Sequence, residues 1–370
     1  MKNKTVGVVK EIKQGEFRVA LTPGGAELIH KAGAPVFVQK GAGEAAGFAD
    51  ADYRKAGATI VTTAAQAWAA DIVIKVKEPL PAEFRFFRPQ QILFTFLHLA
   101  PNRPLVDALL KKQVSAIGYE TVEEPGHKLP ILEPMSEIAG RIAALVGAYY
   151  QANPQGGRGV LFSGMPGVQP AQVVVLGGGT VGENAAKVAS GMGCRVTILE
   201  RRAERMRYLD EILPHVATQM ADPSAIRAAI SEADIVIGAV HVAGSRTPQL
   251  ITRAMVKRMK PRSVIVDVAI DQGGSSETSH PTSHSRPTYV EEEVLHYCVP
   301  NMPGAYGRTS TLALTNATLP YILQLVKMSW PEILQDTPAL ANGIQCHRGK
   351  ITCLPVAQAQ DRPSTLLQES

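Results

Sequence analysis

Residues 173–200 read VVVLGGGTVGENAAKVASGMGCRVTILE. A short β-prone apolar run leads into three glycines, a helix-like stretch follows, and a second apolar run ends in an acid. Gly177, Gly179 and Gly182 fit the pattern G-x-G-x-x-G, with Thr180 and Val181 inside the same turn. Glycines there let the backbone turn tightly and approach a pyrophosphate, which then sits on the free N–H groups of a helix N-terminus. Glu200 follows Gly182 by 18 residues, close to the spacing expected of a carboxylate that binds ribose hydroxyls. A glycine triplet alone is weak evidence and fits a βα turn with no ligand. In this strand–turn–helix–strand–acid setting it points to a dinucleotide. Glu200 repels a 2′-phosphate and favours NAD, whereas Arg201 and Arg202 could accept that phosphate. The balance favours NAD.

The same alternation extends in both directions. TVGVVKE (5–11), PVFVQKG (35–41), ATIV (58–61), DIVIKVKEP (71–79), QILFTFLHLA (91–100) and VSAIGYETV (114–122) read as strands. Each is short, rich in Val or Ile, and bounded by Gly, Pro or polar residues. Helix-like stretches at 23–33 and 101–113 separate them, which predicts a parallel α/β sheet. Residues 134–152 predict a long helix, and 312–330 predict another. QVVVLGGG, CRVTILE, ADIVIGAV and SVIVDVAI form a second set of strands. The polar segment 271–289 reads as a long loop, and such loops are often functional. The tail beyond Pro355 is polar and is expected to fray.

At 370 residues, the chain is long enough for two domains. It is 45% hydrophobic and 19% charged, so it can bury sizeable cores. The net charge of +5 is spread along the chain, without the basic clustering of a nucleic-acid binder. No run of 18 or more apolar residues predicts a membrane span. The N-terminus lacks the apolar stretch of a signal peptide. The four cysteines (Cys194, Cys298, Cys346, Cys353) form no CxxC pair, consistent with reduced thiols in the cytoplasm. His280 and His284 are four apart, but outside a helix that spacing does not converge on a metal, and no metal is expected.

Arg18, Lys77, His98 and Asp271 each stand at or just after an apolar run. In open α/β sheets, ligands bind beyond the carboxyl ends of the strands. Singly, each has a structural reading: a surface arginine, a solvated strand end, a core histidine, a turn-forming aspartate. His241, in HVAGSRTP, reads as a loop histidine, with contact to the nicotinamide as the alternative.

Together these residues carry a resemblance. KEIKQGEFRVALTP, VKEP, LFTFLHLA, GRGVLFSGMPGV, VVVLGGGTVGENAA, SVIVDVAIDQGG and NMPGAYGRTSTLALTNATLPY resemble the alanine dehydrogenase/transhydrogenase alpha-subunit family over nearly the whole chain. The resemblance implies two doubly wound α/β domains with a cleft between them. A Rossmann dinucleotide-binding domain (131–304) is inserted into a discontinuous substrate domain (1–130 and 305–370). It also implies that Arg18 and Lys77 bind pyruvate, and that His98 and Asp271 are catalytic. Asn301 and Met302 are implied to face the substrate, and Ser136, Glu200, Arg205 and Asp271 to contact the cofactor. A homo-hexamer is implied as well.

The chemistry agrees with these roles. A guanidinium grips a carboxylate, and an ammonium polarises the adjacent carbonyl oxygen. A histidine both gives and takes protons near neutral pH. The expected activity is NAD-dependent interconversion of L-alanine with pyruvate and ammonium. Two alternatives stay open: the same chemistry on another small 2-oxo acid or a lysine-type amine, and a non-catalytic NAD(H)-sensing module.

Overall fold

The computed structural model describes residues 4–240 and 247–367. The chain divides into two compact units, Met1–Met135 with Gly304–Ser370, and Ser136–Pro303. The strands are β1 Val6–Val8, β2 Val36–Gln39, β3 Thr59–Val61, β4 Ile72–Ile74, β5 Ile92–Thr95, β6 Ser115–Gly118, β7 Gln172–Leu176, β8 Arg195–Glu200, β9 Val216–Met220, β10 Ile235–Gly238, β11 Val264–Asp267, β12 Thr288–Glu291, β13 Val294–Tyr297, β14 Ile344–His347 and β15 Lys350–Ile351.

The first unit holds the sheet β15-β14-β6-β5-β4-β1-β2-β3, and the second holds β12-β13-β11-β10-β7-β8-β9. From β3 to β6, and from β9 to β13, every neighbouring pair is parallel. Both sheets therefore carry the doubly wound order 3-2-1-4-5-6, with antiparallel strands added at one edge. That order reverses beside the first strand, between β1 and β4 and between β7 and β10. Chains leaving there diverge to opposite faces and open a crevice at the carboxyl ends. The central strands are continuously buried, which explains why they read as unbroken apolar runs.

Helix starts follow from the sequence. Thr22 caps the helix Pro23–Lys31 by accepting from Gly25 N at 3.1 Å, with Pro23 at its first position. Asp222 caps Pro223–Glu232 through Ser224 N and Ala225 N. Such caps satisfy N–H groups that have no partner within the helix. In the first unit, Trp68, Leu93, Leu97, Leu105 and Leu109 form one buried core with Val356 and Ala357. In the second, Val174, Leu199, Ile230, Val236 and Ile265 form another.

Several expectations need correction. β4 stops at Ile74 and β5 at Thr95, short of the expected ends at 79 and 100, because the chain there leaves the ladder to build the site. The described residues after Pro355 are held rather than frayed. Residues Leu354–Ala359 form a helix, Val356 and Ala357 join the core, and Gln360 Nε2 donates to Leu99 O at 2.7 Å. β9 has mostly exposed residues and so lacks an apolar signature. The hairpin β14–β15 turns at Arg348 and Gly349, both with positive φ, as a tight hairpin requires. The segment 271–289 is irregular until β12 begins at Thr288. No helix among the described residues is long and apolar enough to cross a membrane.

Candidate active site

The loop after β1 carries Arg18, which is nearly inaccessible at 3% exposure. Glu16 grips it, accepting from Arg18 Nε at 2.6 Å, from Nη2 at 2.5 Å and from the Arg18 backbone N at 3.0 Å. Arg18 Nη1 points the other way and donates to Met135 Sδ at 3.2 Å. The loop itself is clamped from the helix Gly307–Lys327. Thr311 Oγ1 accepts Val19 N and Thr315 Oγ1 accepts Thr22 N, both at 3.0 Å. These threonines are four apart and so share a helix face, which gives the TSTLALT stretch its physical meaning.

Beyond β4, Lys75 is wholly buried between two carboxylates, Glu83 Oε1 at 2.9 Å and Glu11 Oε2 at 3.1 Å. The other oxygens of these acids accept Val76 N (2.7 Å) and Leu80 N (2.8 Å). Burial works against the Lys75 charge, but the two carboxylates raise its pKa overall; burial raises that of Glu11. This buried triad fixes the backbone on either side of Lys77. Lys77 Nζ then lies 3.5 Å from His98 Nε2, a distance at which an ammonium donates to an unprotonated ring nitrogen. His98 is exposed at the end of β5, with a left-handed φ of 47°. It is not a core histidine.

In the second unit, β7 ends in the glycine turn. Gly177 has φ 95°. A Cβ on Gly182 would lie 1.9 Å from Gly177 O, so only glycine lets the helix pack this close to the turn. The helix Thr180–Gly191 begins at Thr180 and Val181. Its N-cap, Gly179, supplies no side-chain hydrogen bond, which leaves the first N–H groups without a capping side chain, as an anion site at a helix N-terminus requires. A Cβ on Gly140 would lie 2.1 Å from Val181 O. The helix Glu133–Tyr150 thus presses on this one, and Ser136 lies one turn before that contact. These features fit a dinucleotide pyrophosphate.

Glu200 closes β8. Its carboxylate accepts Gly178 N (2.9 Å), Arg201 N (2.8 Å), Arg202 N (3.0 Å) and Arg202 Nε (3.2 Å). Burial alone would raise its pKa, but these donors outweigh burial and hold it at about 2. Arg205 bridges Gly178 O at 2.6 Å and Glu183 Oε2 at 2.5 Å.

β11 ends at Asp267, whose buried carboxylate accepts Ser275 N (2.7 Å) and Ser279 Oγ (2.6 Å); burial pushes its pKa up. This ties down the turn that carries Asp271. Asp271 Oδ2 accepts Asn301 N at 3.2 Å, with Asn301 at φ 56° and Met302 buried beside it. The structure therefore brings Arg18, Lys77 and His98 to the carboxyl ends of one sheet, and the glycine turn, Glu200, Arg205, Asp271 and Asn301 to those of the other. His241 lies outside the described residues. His280 stacks on Tyr289 with ring centroids 3.6 Å apart, and no His, Cys, Asp and Glu cluster among the described residues is fit for a metal.

The sequence reading missed Glu16, Glu120 and the Glu11–Lys75–Glu83 triad. The signal for Lys75 was present, as a lysine inside the apolar run DIVIKVKEP. Glu120 gave none, because its partners are set by tertiary folding, and Glu16, only two residues from Arg18, stands in a loop whose conformation no local pattern records.

Two family models match the chain. "Alanine dehydrogenase/PNT, N-terminal domain" covers residues 7–139, and "Alanine dehydrogenase/PNT, C-terminal domain" covers 143–354. An alanine dehydrogenase of Mycobacterium tuberculosis is 49% identical over 362 residues, 97% of this chain and 98% of its own. One from Bacillus subtilis is 50% identical, covering 95% of this chain and 94% of its own. A solved L-alanine dehydrogenase superposes with a TM-score of 0.94 at 47% identity, over 96% of this chain and 99% of the other.

Proposed function

The chain belongs to the alanine dehydrogenase/PNT family, and from that premise we propose that it converts L-alanine, NAD and water to pyruvate, ammonium, NADH and a proton, and runs the reverse amination. The observation that carries this reading is the convergence of Arg18, Lys77 and His98 at the carboxyl ends of one sheet, with Lys77 Nζ 3.5 Å from His98 Nε2. A sensing module needs none of the three.

Arg18 binds the substrate carboxylate. Glu16 holds its Nε–Nη2 edge and so fixes how the guanidinium is aimed. Lys77 donates to the oxygen that becomes the ketone and polarises that carbon. His98 takes a proton from the substrate ammonium as Cα is oxidised and releases it to solvent, then takes one from the water that adds to the imine and returns it to the departing ammonia. The nicotinamide, when bound, supplies the hydride acceptor. Glu200 accepts the adenosine ribose hydroxyls, and its ionised state repels a 2′-phosphate, which favours NAD. Gly177, Gly179, Thr180, Val181 and Gly182 cradle the pyrophosphate. Asp271 has a catalytic and cofactor-contacting role. Ser136 and Arg205 serve the cofactor, and Asn301 and Met302 the substrate. The family resemblance also supports a cytoplasmic homo-hexamer.

The test is NADH oxidation by the purified protein with ammonium and, separately, pyruvate, glyoxylate, 2-oxobutyrate or 2-oxoglutarate, with NADPH as the cofactor control. Fast turnover with pyruvate and NADH alone is expected. Turnover with a different acid instead keeps the mechanism and overturns the substrate. No turnover, with NADH still bound, refutes the enzyme reading in favour of a sensor.

A further inference from the structure

We propose that Glu120 is a positioning residue that holds the His98 turn in its left-handed form. The proposal rests on the acid–base reading of His98.

β5 ends at Thr95, and after one last cross-strand bond from Phe96 N to Val76 O at 3.3 Å the N–H groups of Leu97 and His98 leave the sheet ladder. Both donate to one carboxylate. Glu120 Oε1 accepts His98 N at 2.9 Å and Leu97 N at 3.2 Å, and Oε2 also lies 3.2 Å from Leu97 N. Glu120 stands just past the end of the neighbouring strand β6, in the short turn Tyr119–Thr121. Its carboxylate is steadied by the buried Gln345 of β14, whose Nε2 donates to Oε1 at 3.0 Å and to Thr121 Oγ1 at 3.0 Å. The far side of the turn is held by a second buried glutamine. Gln360 Nε2 donates to Leu99 O at 2.7 Å. Side chains from two distant parts of the chain thus fix a turn of three residues.

A left-handed φ at a non-glycine residue is strained, and such strain persists only where the surroundings over-determine it. Here the surroundings do so, yet the strained residue exposes its side chain. The left-handed form gains no core packing for His98. What it does is aim the imidazole, placing Nε2 3.5 Å from Lys77 Nζ. It also sets the ring nearly parallel to Phe96, at an 11° interplanar angle. Phe96 in turn meets Tyr119, the residue before Glu120, edge-on at 5.1 Å. Residues 119–120 therefore control both the backbone and the ring stack of His98. A carboxylate suits this task because it accepts two N–H donors at once, whereas an amide at the same place turns its own N–H groups toward one of them.

The experiment compares Glu120→Gln, His98→Gln and the double variant for kcat, KM for pyruvate, Kd for NADH and the pH profile of kcat. If Glu120 acts through His98, Glu120→Gln lowers kcat roughly 10- to 100-fold, the scale of a misplaced reacting group. KM and the NADH Kd stay near wild type, and the substitution has no further effect in the His98→Gln background. The same loss in both backgrounds overturns the proposal, because Glu120 then acts on the substrate or the fold directly. An unchanged kcat in Glu120→Gln also overturns it. A His98→Gln variant with wild-type kcat overturns the acid–base reading of His98, and the proposal with it. Should Glu120→Gln not fold, Gln345→Leu replaces it, with a smaller loss expected and the same non-additivity; additivity there is equally fatal.

Discussion

Replacing Arg18 by Met separates substrate binding from folding at one residue pair. The side chains of Arg18 and Glu16 are 2% and 0% exposed. Removing the guanidinium breaks a buried ion pair, a loss that costs about 3–5 kcal/mol. The unit that holds the pair has about 200 residues. At that size one kcal/mol moves Tm by roughly 2–4 °C. Arg18→Met is therefore expected to lower the melting temperature of this unit by roughly 6–20 °C. The double variant Arg18→Met with Glu16→Gln removes both charges and should recover most of that loss. Activity follows the opposite pattern. Both variants lose the charged hydrogen bonds to the substrate carboxylate, worth about 1.5–3 kcal/mol. The KM for pyruvate is then expected to rise roughly 10- to 150-fold in each. Calorimetry supplies the first readout and initial rates the second. Wild-type melting in Arg18→Met, or a double variant as unstable as the single one, would show that Glu16 is not held as described. A double variant with normal KM would remove Arg18 from the substrate site.

Four further outcomes are expected. His98→Ala should lower kcat by roughly 10²–10⁴-fold with NADH affinity nearly intact; unchanged turnover would remove His98 from the chemistry. Gly182→Ala drives a Cβ to 1.9 Å from Gly177 O, an overpacking that typically costs about 1–3 kcal/mol; NADH titration should show weakened binding, and an unchanged Kd would contradict the close approach. Thr315→Val leaves the buried N–H of Thr22 without its acceptor and should cost about 1–3 kcal/mol in urea unfolding, against little change if that bond is not made. The carboxyl of Glu200 is depressed from 4.5 to about 2. Its ionisation stabilises the second unit above pH 4.5, and that contribution is lost as pH falls through 2. Glu200→Gln should flatten the fall of Tm over this range, and an equally steep fall would assign the acid sensitivity to other groups.

Much of this protein was legible along the chain. The stretch 173–200 announces a βαβ unit because strand burial, tight turning and helix packing each constrain neighbouring residues. The central strands read as apolar runs because both faces of a parallel sheet are covered. Edge elements were harder. β9 is half solvated, and the β14–β15 hairpin is only a few residues long, so neither repeats a pattern long enough to see. The apparent strand 91–100 hid a turn at His98, because apolar composition does not record where a backbone leaves its ladder.

The sequence by itself determined the doubly wound class, the dinucleotide turn and the residue types able to hold a carboxylate and move a proton. Those are local properties, written in spacing and side-chain chemistry. Tertiary structure alone decided which charges are neutralised and how the reactive groups are aimed. Glu11 and Glu83 enclose Lys75, and Glu120 with Gln345 and Gln360 holds the His98 turn. Most of these partners lie far apart in sequence, and their pairing is set by strand order. A carboxylate gains its strength as an acceptor from the low-dielectric interior into which the fold carries it.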